Sequence, residues 1–323
     1  MTPATAHDAD TITIAAGPQN ARIDAGSGLR FYSWRGRADL MSVTSARTEA
    51  GVPHGLVQWQ ISQVVNRAID ERDEVERMLT RPAKTREKVL EKNRVKEAKS
   101  WLRKAATDQR DRDAARGTAV HDLAAQGIVL EDIPEFVEIV DGKVITQVPR
   151  EEIVPRLSWF IGWLKASGCK ILAQEFQVFN LTHGYAGSVD LLVEFANGQI
   201  WLIDLKTGAG TYFEHALQVT AYRNAEFVGK DDVVDDHLTD LLHQISATAI
   251  LHLGIDGWEF VKVRSDSRVF QAYLGVLDFA RLSLEIGHNE GYVLARRSFP
   301  DLTTAQDAVV ASMAAELEAR TAA

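Results

Sequence analysis

With one cysteine, Cys169, in 323 residues, the chain has no intrachain disulfide framework. A four-cysteine zinc site and an iron–sulfur cluster held by this chain alone are excluded on the same ground. Long hydrophobic runs are missing too. Apolar stretches stop at about ten residues, half of what a bilayer-spanning helix needs, and the amino terminus lacks the basic-then-apolar pattern of a secretory leader. The expectation is a cytoplasmic protein with no membrane partner. Surplus positive charge is also lacking: the net charge of -9 argues against a protein that coats nucleic acid without specificity.

What is present is an ordinary globular composition, 46% hydrophobic and 25% charged, with a marked charge asymmetry. Between Arg81 and Arg116, 13 Lys or Arg face 6 Asp or Glu. Such a segment is either a solvated helix face or a surface that tracks phosphates beside an acidic site, since Lys and Arg displace condensed counterions from nucleic acid. Residues 1–28 mix small and polar residues up to Gly26-Ser27-Gly28 and read as a mobile lead-in with room for one short strand. Residues 29–116 read as a helical N-terminal region, opened by the amphipathic stretch Leu56–Ile69 and continued by the basic helix. A core over 117–300 follows, with a helix carrying Ile153, Leu157, Phe160 and Leu164.

After Gly168 the pattern changes to strands: Ile171–Phe179, Gly187–Phe195 and Gln199–Lys206, each rich in β-branched or large apolar residues. A helix is expected at about Phe213–Phe227, with Thr211 and Glu214 in capping-box positions. A hairpin is expected around Asp256-Gly257, and two helices close the chain, the last near 304–320 within 301–323. The fold class is α/β (α+β), a central mixed β-sheet flanked by helices.

Gly187-Ser188-Val189-Asp190 and Asp204-Leu205-Lys206-Thr207 hold two acids and a lysine on adjacent strands. The turn between them decides whether the acids can meet. With Asn197-Gly198 alone as a two-residue turn, Asp190 faces Leu205 and the acids point to opposite faces. With a three-residue loop and Gly198 left-handed, Phe195 pairs with Gln199, Asp190 lies across from Asp204, and Lys206 shares their face. Facing carboxylates repel, and a divalent cation offsets that. Magnesium or manganese suits oxygen donors from Asp190, Asp204 and a backbone carbonyl near Leu205, with an imidazole from His121. Lys206 would orient an attacking water or stabilise charge on a phosphate. Glu175 is either an acid at the metal or a solvent-facing strand residue. Gln218 and Tyr222, four apart on one helical face, either pack the helix on the sheet or hold the nucleic-acid backbone or Lys206 from behind.

Taken in order, the Gly117-Thr118-x-x-His121 helix, Glu175, Gly187-x-x-Asp190, Asp204-x-Lys206-Thr207 and Gln218-x-x-x-Tyr222 resemble the RecB-like branch of the PD-(D/E)XK nuclease superfamily. That branch includes bacterial recombination nucleases, phage exonucleases and the CRISPR-associated adaptation nuclease. The resemblance covers roughly 117–227. It implies a restriction-endonuclease-like core, His121, Asp190 and Asp204 as ligands of Mg2+ or Mn2+, Lys206 as the catalytic lysine, and Gln218 and Tyr222 as the helix motif. Asp204 stands where glutamate is frequent. With no cysteine set for an iron–sulfur cluster, the chain is most similar to phage-type members, in a bacterial cell or phage-infected host. The implied activity is metal-dependent DNA hydrolysis, exonuclease rather than endonuclease, in replication, recombination or repair, with DNA and a recombination or replication protein as partners. Two alternatives are a nucleic-acid-binding or assembly protein without turnover and a hydrolase of another phosphate ester.

Overall fold

The computed structural model describes residues 11–18, 21–49, 54–80, 87–142, 144–208 and 210–287. Two compact units divide at 280/281. The first opens with strands β1 (Ile12–Ala15), β2 (Ala21–Ile23), β3 (Arg30–Trp34) and β4 (Arg37–Ser42). Helices α1 (Val43–Glu49), α2 (His54–Asp70), α3 (Arg72–Thr80), α4 (Glu87–Arg103) and α5 (Ala105–Gln126) come next. A hairpin, β5 (Phe136–Asp141) and β6 (Val144–Pro149), leads into α6 (Arg150–Ser167) and strands β7 (Lys170–Asn180), β8 (Tyr185–Glu194) and β9 (Ile200–Lys206). The rest is α7 (Phe213–Arg223), β10 (Phe227–Lys230), β11 (Val233–Val234), α8 (Asp236–His243), the hairpin β12 (Ile245–Leu253) and β13 (Trp258–Val263), and α9 (Ser267–Leu282).

Three expectations need correction. The lead-in holds two strands, because β1 finds a parallel partner in β5 and β2 pairs with β3. The helical region expected from residue 29 starts instead with β3 and β4, which join the main sheet through β8. The helix expected up to Phe227 ends at Arg223, and Phe227 begins a strand, stacked on Phe179 with ring centroids 5.4 Å apart. Residues 304–320 lie outside the described residues.

The turn between β8 and β9 takes the three-residue form. Gly198 has φ +77°, the Phe195 and Gln199 backbones pair (3.0 Å), and the ladder runs from Glu194–Ile200 to Leu191–Ile203. One further pair would set Asp190 against Asp204, but the ladder stops short of it. On the same edge of β8, β4 pairs only as far as Ser42–Ala186. The carboxyl ends of β4 and β9 thus converge on a fork opposite residues 187–190, and the strand ends of an open sheet are where ligands bind.

Both sides of the sheet feed this fork. Leu191, Val193, Ile203 and Leu205 face a core made with Ala119, Val120 and Leu123 of α5 and Ile153, Leu157 and Phe160 of α6. The small residues of α5 allow a close approach: a Cβ on Gly117 would lie 3.4 Å from the Thr207 hydroxyl. From the other side α7 lays Tyr222 against Gly187, where an added Cβ would fall 2.4 Å from the Tyr222 ring. Gly187→Ala should therefore destabilise by about 1–3 kcal/mol, the usual cost of overpacking. Gly162→Ala, in open space on α6, should instead stabilise by about 0.5–1 kcal/mol. Urea unfolding of both variants checks this, and a Gly187→Ala midpoint equal to wild type would mean that the Tyr222 ring has room to retreat.

Candidate functional site

Asp190 stands in the fork, 8% exposed, with no ladder partner on the β9 side. The backbone N–H of Leu205 donates to its Oδ2 at 2.6 Å, and its Oδ1 lies 3.4 Å from His121 Nδ1. Asp204, 1% exposed, carries an ion pair from Lys206 on Oδ2 and accepts from Gln218 Nε2 at 2.9 Å on Oδ1. His121 and Asp190 come together, Asp204 is held by Lys206 and Gln218, and the Leu205 carbonyl accepts from the Lys206 ammonium at 3.3 Å.

Glu175 fills the place at His121 and Asp190. Its φ of +46° is left-handed, a region unfavourable to a non-glycine residue. Its flanking residues Gln174 and Phe176 pair with Leu191 and Val189, so Glu175 falls opposite Asp190. The twist also breaks side-chain alternation. Gln174 reaches the Ala124 carbonyl (3.5 Å) and Glu175 lies 3.7 Å from His121 Nδ1, so both approach α5. Donor atoms of His121, Glu175 and Asp190 all lie within 4.8 Å of one another. Two carboxylates and an imidazole fit a hard divalent cation such as magnesium or manganese.

The charges respond to this crowding. Burial pushes the His121 imidazole down, but the charge of Asp190 and contacts with Asp190 and Glu175 outweigh it, leaving it pushed up to about 10. Burial likewise raises Asp190, yet His121 and Lys206 together hold it below its ordinary value. Asp204 goes the other way, raised by burial despite Lys206. His215, buried beside Lys206 and Arg47, is pushed down to about 3 and stays neutral. Its unprotonated Nδ1 accepts from the Tyr212 backbone N–H at 3.2 Å, so Tyr212 and His215 replace the expected Thr211 and Glu214 pair at the start of α7.

Gln218 and Tyr222 join the site from α7. Gln218 Nε2 also donates to the Tyr222 hydroxyl at 2.9 Å, and burial raises that phenol well above its usual value, keeping it neutral. Sequence reasoning missed Arg47 of α1, whose Nη1 donates to Gln218 Oε1 at 3.0 Å. It also missed Arg116 as an internal tether, bonded to Glu152 and to the Thr207 carbonyl (3.3 Å). His252, paired with Lys206 across β12 and β9, lies 2.6 Å from the Gly208 carbonyl. No local motif marks these three, since each acts over tens of residues. His121, Glu175, Asp190, Asp204, Lys206 and Arg47 are among the residues that line a cleft of about 1460 Å³.

No curated protein matches the chain. A solved structure described as "Crystal structure of SSO0001" is similar over 39% of this chain at 12% identity with a TM-score of 0.25. The chain spans 56% of that protein's length, and a likeness this distant carries no argument. The family model of the PD-(D/E)XK nuclease superfamily matches residues 54–226, more than half of the chain, and its span contains His121, Glu175, Asp190, Asp204, Lys206, Gln218 and Tyr222. The chain belongs to the PD-(D/E)XK nuclease superfamily.

Proposed function

We propose that the protein is a divalent-metal-dependent deoxyribonuclease, and an exonuclease by its RecB-like motif order, acting in phage or bacterial DNA replication, recombination or repair. The observation that carries this reading is the convergence of His121, Glu175 and Asp190 within 4.8 Å beside the Asp204–Lys206 pair. A scaffold has no need for three crowded acids. In hydrolysis a water oxygen forms a new bond to phosphorus and one bridging phosphorus–oxygen bond breaks. A bound cation supplies positive charge to the phosphate and favours loss of a proton from the attacking water.

The remaining work falls to the chain. His121, Glu175 and Asp190 hold the cation, with Asp190 fixed by the Leu205 N–H. The Lys206 ammonium would stabilise the developing charge on the phosphate. Asp204 aims that ammonium, Gln218 aims Asp204, and Arg47 aims Gln218. Tyr222 closes the back of the chain of contacts, since its buried hydroxyl meets Gln218.

The first test is cleavage of end-labelled linear and covalently closed circular DNA in EDTA, magnesium or manganese. Linear DNA alone should be degraded, only with metal, and Lys206→Ala should lose at least about a hundredfold in rate. Wild-type rates in Lys206→Ala, or no cleavage under any condition, sink the proposal. Protonated His121 makes a second prediction. A cation that takes the His121 nitrogen must displace its proton, so manganese affinity should rise up to about tenfold per pH unit above neutrality until its value near 10 is passed. Calorimetry in buffers of different ionisation enthalpy measures the proton released, and an unchanged slope in His121→Ala removes His121 from the ligand set. The basic segment is tested by neutralising Lys84, Lys88, Arg94 and Lys96 together. DNA binding should weaken and its salt dependence flatten, whereas an unchanged slope returns this segment to a solvated helix face.

A further inference from the structure

Arg67, Arg116, Arg150 and Arg223, all partly buried, each donate to a backbone carbonyl, and Arg47 donates to Gln218. Arg30 of β3 is different. It is partly buried and lines the same cleft as His121, Glu175, Asp190 and Lys206. Among the described residues, however, its guanidinium meets neither a carbonyl nor a carboxylate. A cation half withdrawn from water without a partner is costly, and a guanidinium left facing a cleft is equipped to take an anion that arrives from outside.

Arg30 is also held in place. Its backbone N–H donates to Ser45 Oγ of α1 at 2.8 Å, two residues before Arg47. The end of its guanidinium lies against Gly17, where an added Cβ would fall 2.9 Å from Nη2. Gly17 is left-handed (φ +76°) and follows β1, so the head group sits where the three-stranded sheet of β1, β5 and β6 meets the main one. Two positions on, Tyr32 shares the Arg30 face of β3, roughly 7 Å along the strand. Burial pushes the Tyr32 phenol up to about 12, while Arg30 draws it down and Glu175 adds to the rise. The phenol is thus within electrostatic reach of both the arginine and an acid of the proposed metal site.

We propose that Arg30 grips a backbone phosphate of the bound nucleic acid, other than the one cleaved, and so sets the register of the strand over His121, Glu175 and Asp190. This rests on the nuclease reading above and adds a substrate-binding residue to that same site. The planar fork of a guanidinium matches two phosphate oxygens at once.

Binding is measured with the full chain as Lys206→Ala in magnesium, so that the DNA stays uncut. Adding Arg30→Gln should weaken binding on the order of tenfold and lower the salt slope by about one, whereas Arg30→Lys keeps the charge and should keep the slope. With Lys206 intact, Arg30→Gln should raise KM far more than it lowers kcat. Single methylphosphonate linkages, each removing one phosphate charge, locate the contact. At one linkage away from the cut, neutralisation should cost the chain with Arg30 on the order of tenfold and Arg30→Gln almost nothing. Thermal midpoints check that the variants fold, and the scan of the chain with Arg30 needs no substitution there: indifference to every neutral linkage overturns the proposal. So does an unchanged salt slope in Arg30→Gln, a fall in kcat with KM unchanged, or an equal loss in Arg264→Gln, an exposed arginine paired with Asp266 outside the cleft. The two readings fail separately. Metal-dependent cleavage without the linkage effect sinks the Arg30 grip alone, whereas a linkage effect that depends on Arg30 in a chain that cleaves nothing sinks the nuclease and leaves the grip standing.

Discussion

Three carboxylates, those of Glu175, Asp190 and Asp204, crowd one fork of a sheet, and like charges this close must be offset before the fold can close around them. The protein divides the task. His121 comes in from α5 to meet Glu175 and Asp190, while Lys206 meets Asp204 from its own strand. With both bases protonated the cluster still carries one negative charge more than positive. That residue of charge is what a divalent cation would find; the imidazole is held far above its ordinary range by Asp190 and Glu175, and Asp190 is held below its own by His121 and Lys206.

The surroundings follow from keeping these groups apart and in place. The Leu205 N–H fixes Asp190, Gln218 fixes Asp204 through Oδ1, and Arg47 fixes Gln218, while Asp204 Oδ2 is met by the Lys206 ion pair. Removing one member would leave a buried donor or acceptor unpaired, at about 1–3 kcal/mol. Arg116 and His252 hold the carbonyls of Thr207 and Gly208. The backbone just beyond Lys206 is thereby tied to α5 on one side and to β12 on the other, and the lysine inherits that rigidity.

Much of this was legible in the sequence. Strand positions from Ile171 to Lys206 follow from alternation, and of the two turns that the sequence allows between β8 and β9 the observed ladder takes the three-residue one with Gly198 left-handed. Illegible was where the ladder would stop. That depends on β4, nearly 150 residues upstream, arriving on the same edge of β8, and it keeps Asp204 with Lys206 while Glu175 turns toward His121. That the start of the chain holds two strands, where the sequence left room for one, was hidden for a similar reason. β1 is made stable by β5, more than a hundred residues later, and short polar segments carry little sign of a distant partner.

Glu175 adds a consequence of its own. Its carboxylate reaches α5 only because the backbone is left-handed at that one position, a conformation that glycine or asparagine adopts at lower cost. Stability and chemistry pull in opposite directions there. A sequence optimised for folding alone would give up the carboxylate to relax the strand, and a sequence that keeps the acid carries the strain as a standing cost of having its third donor.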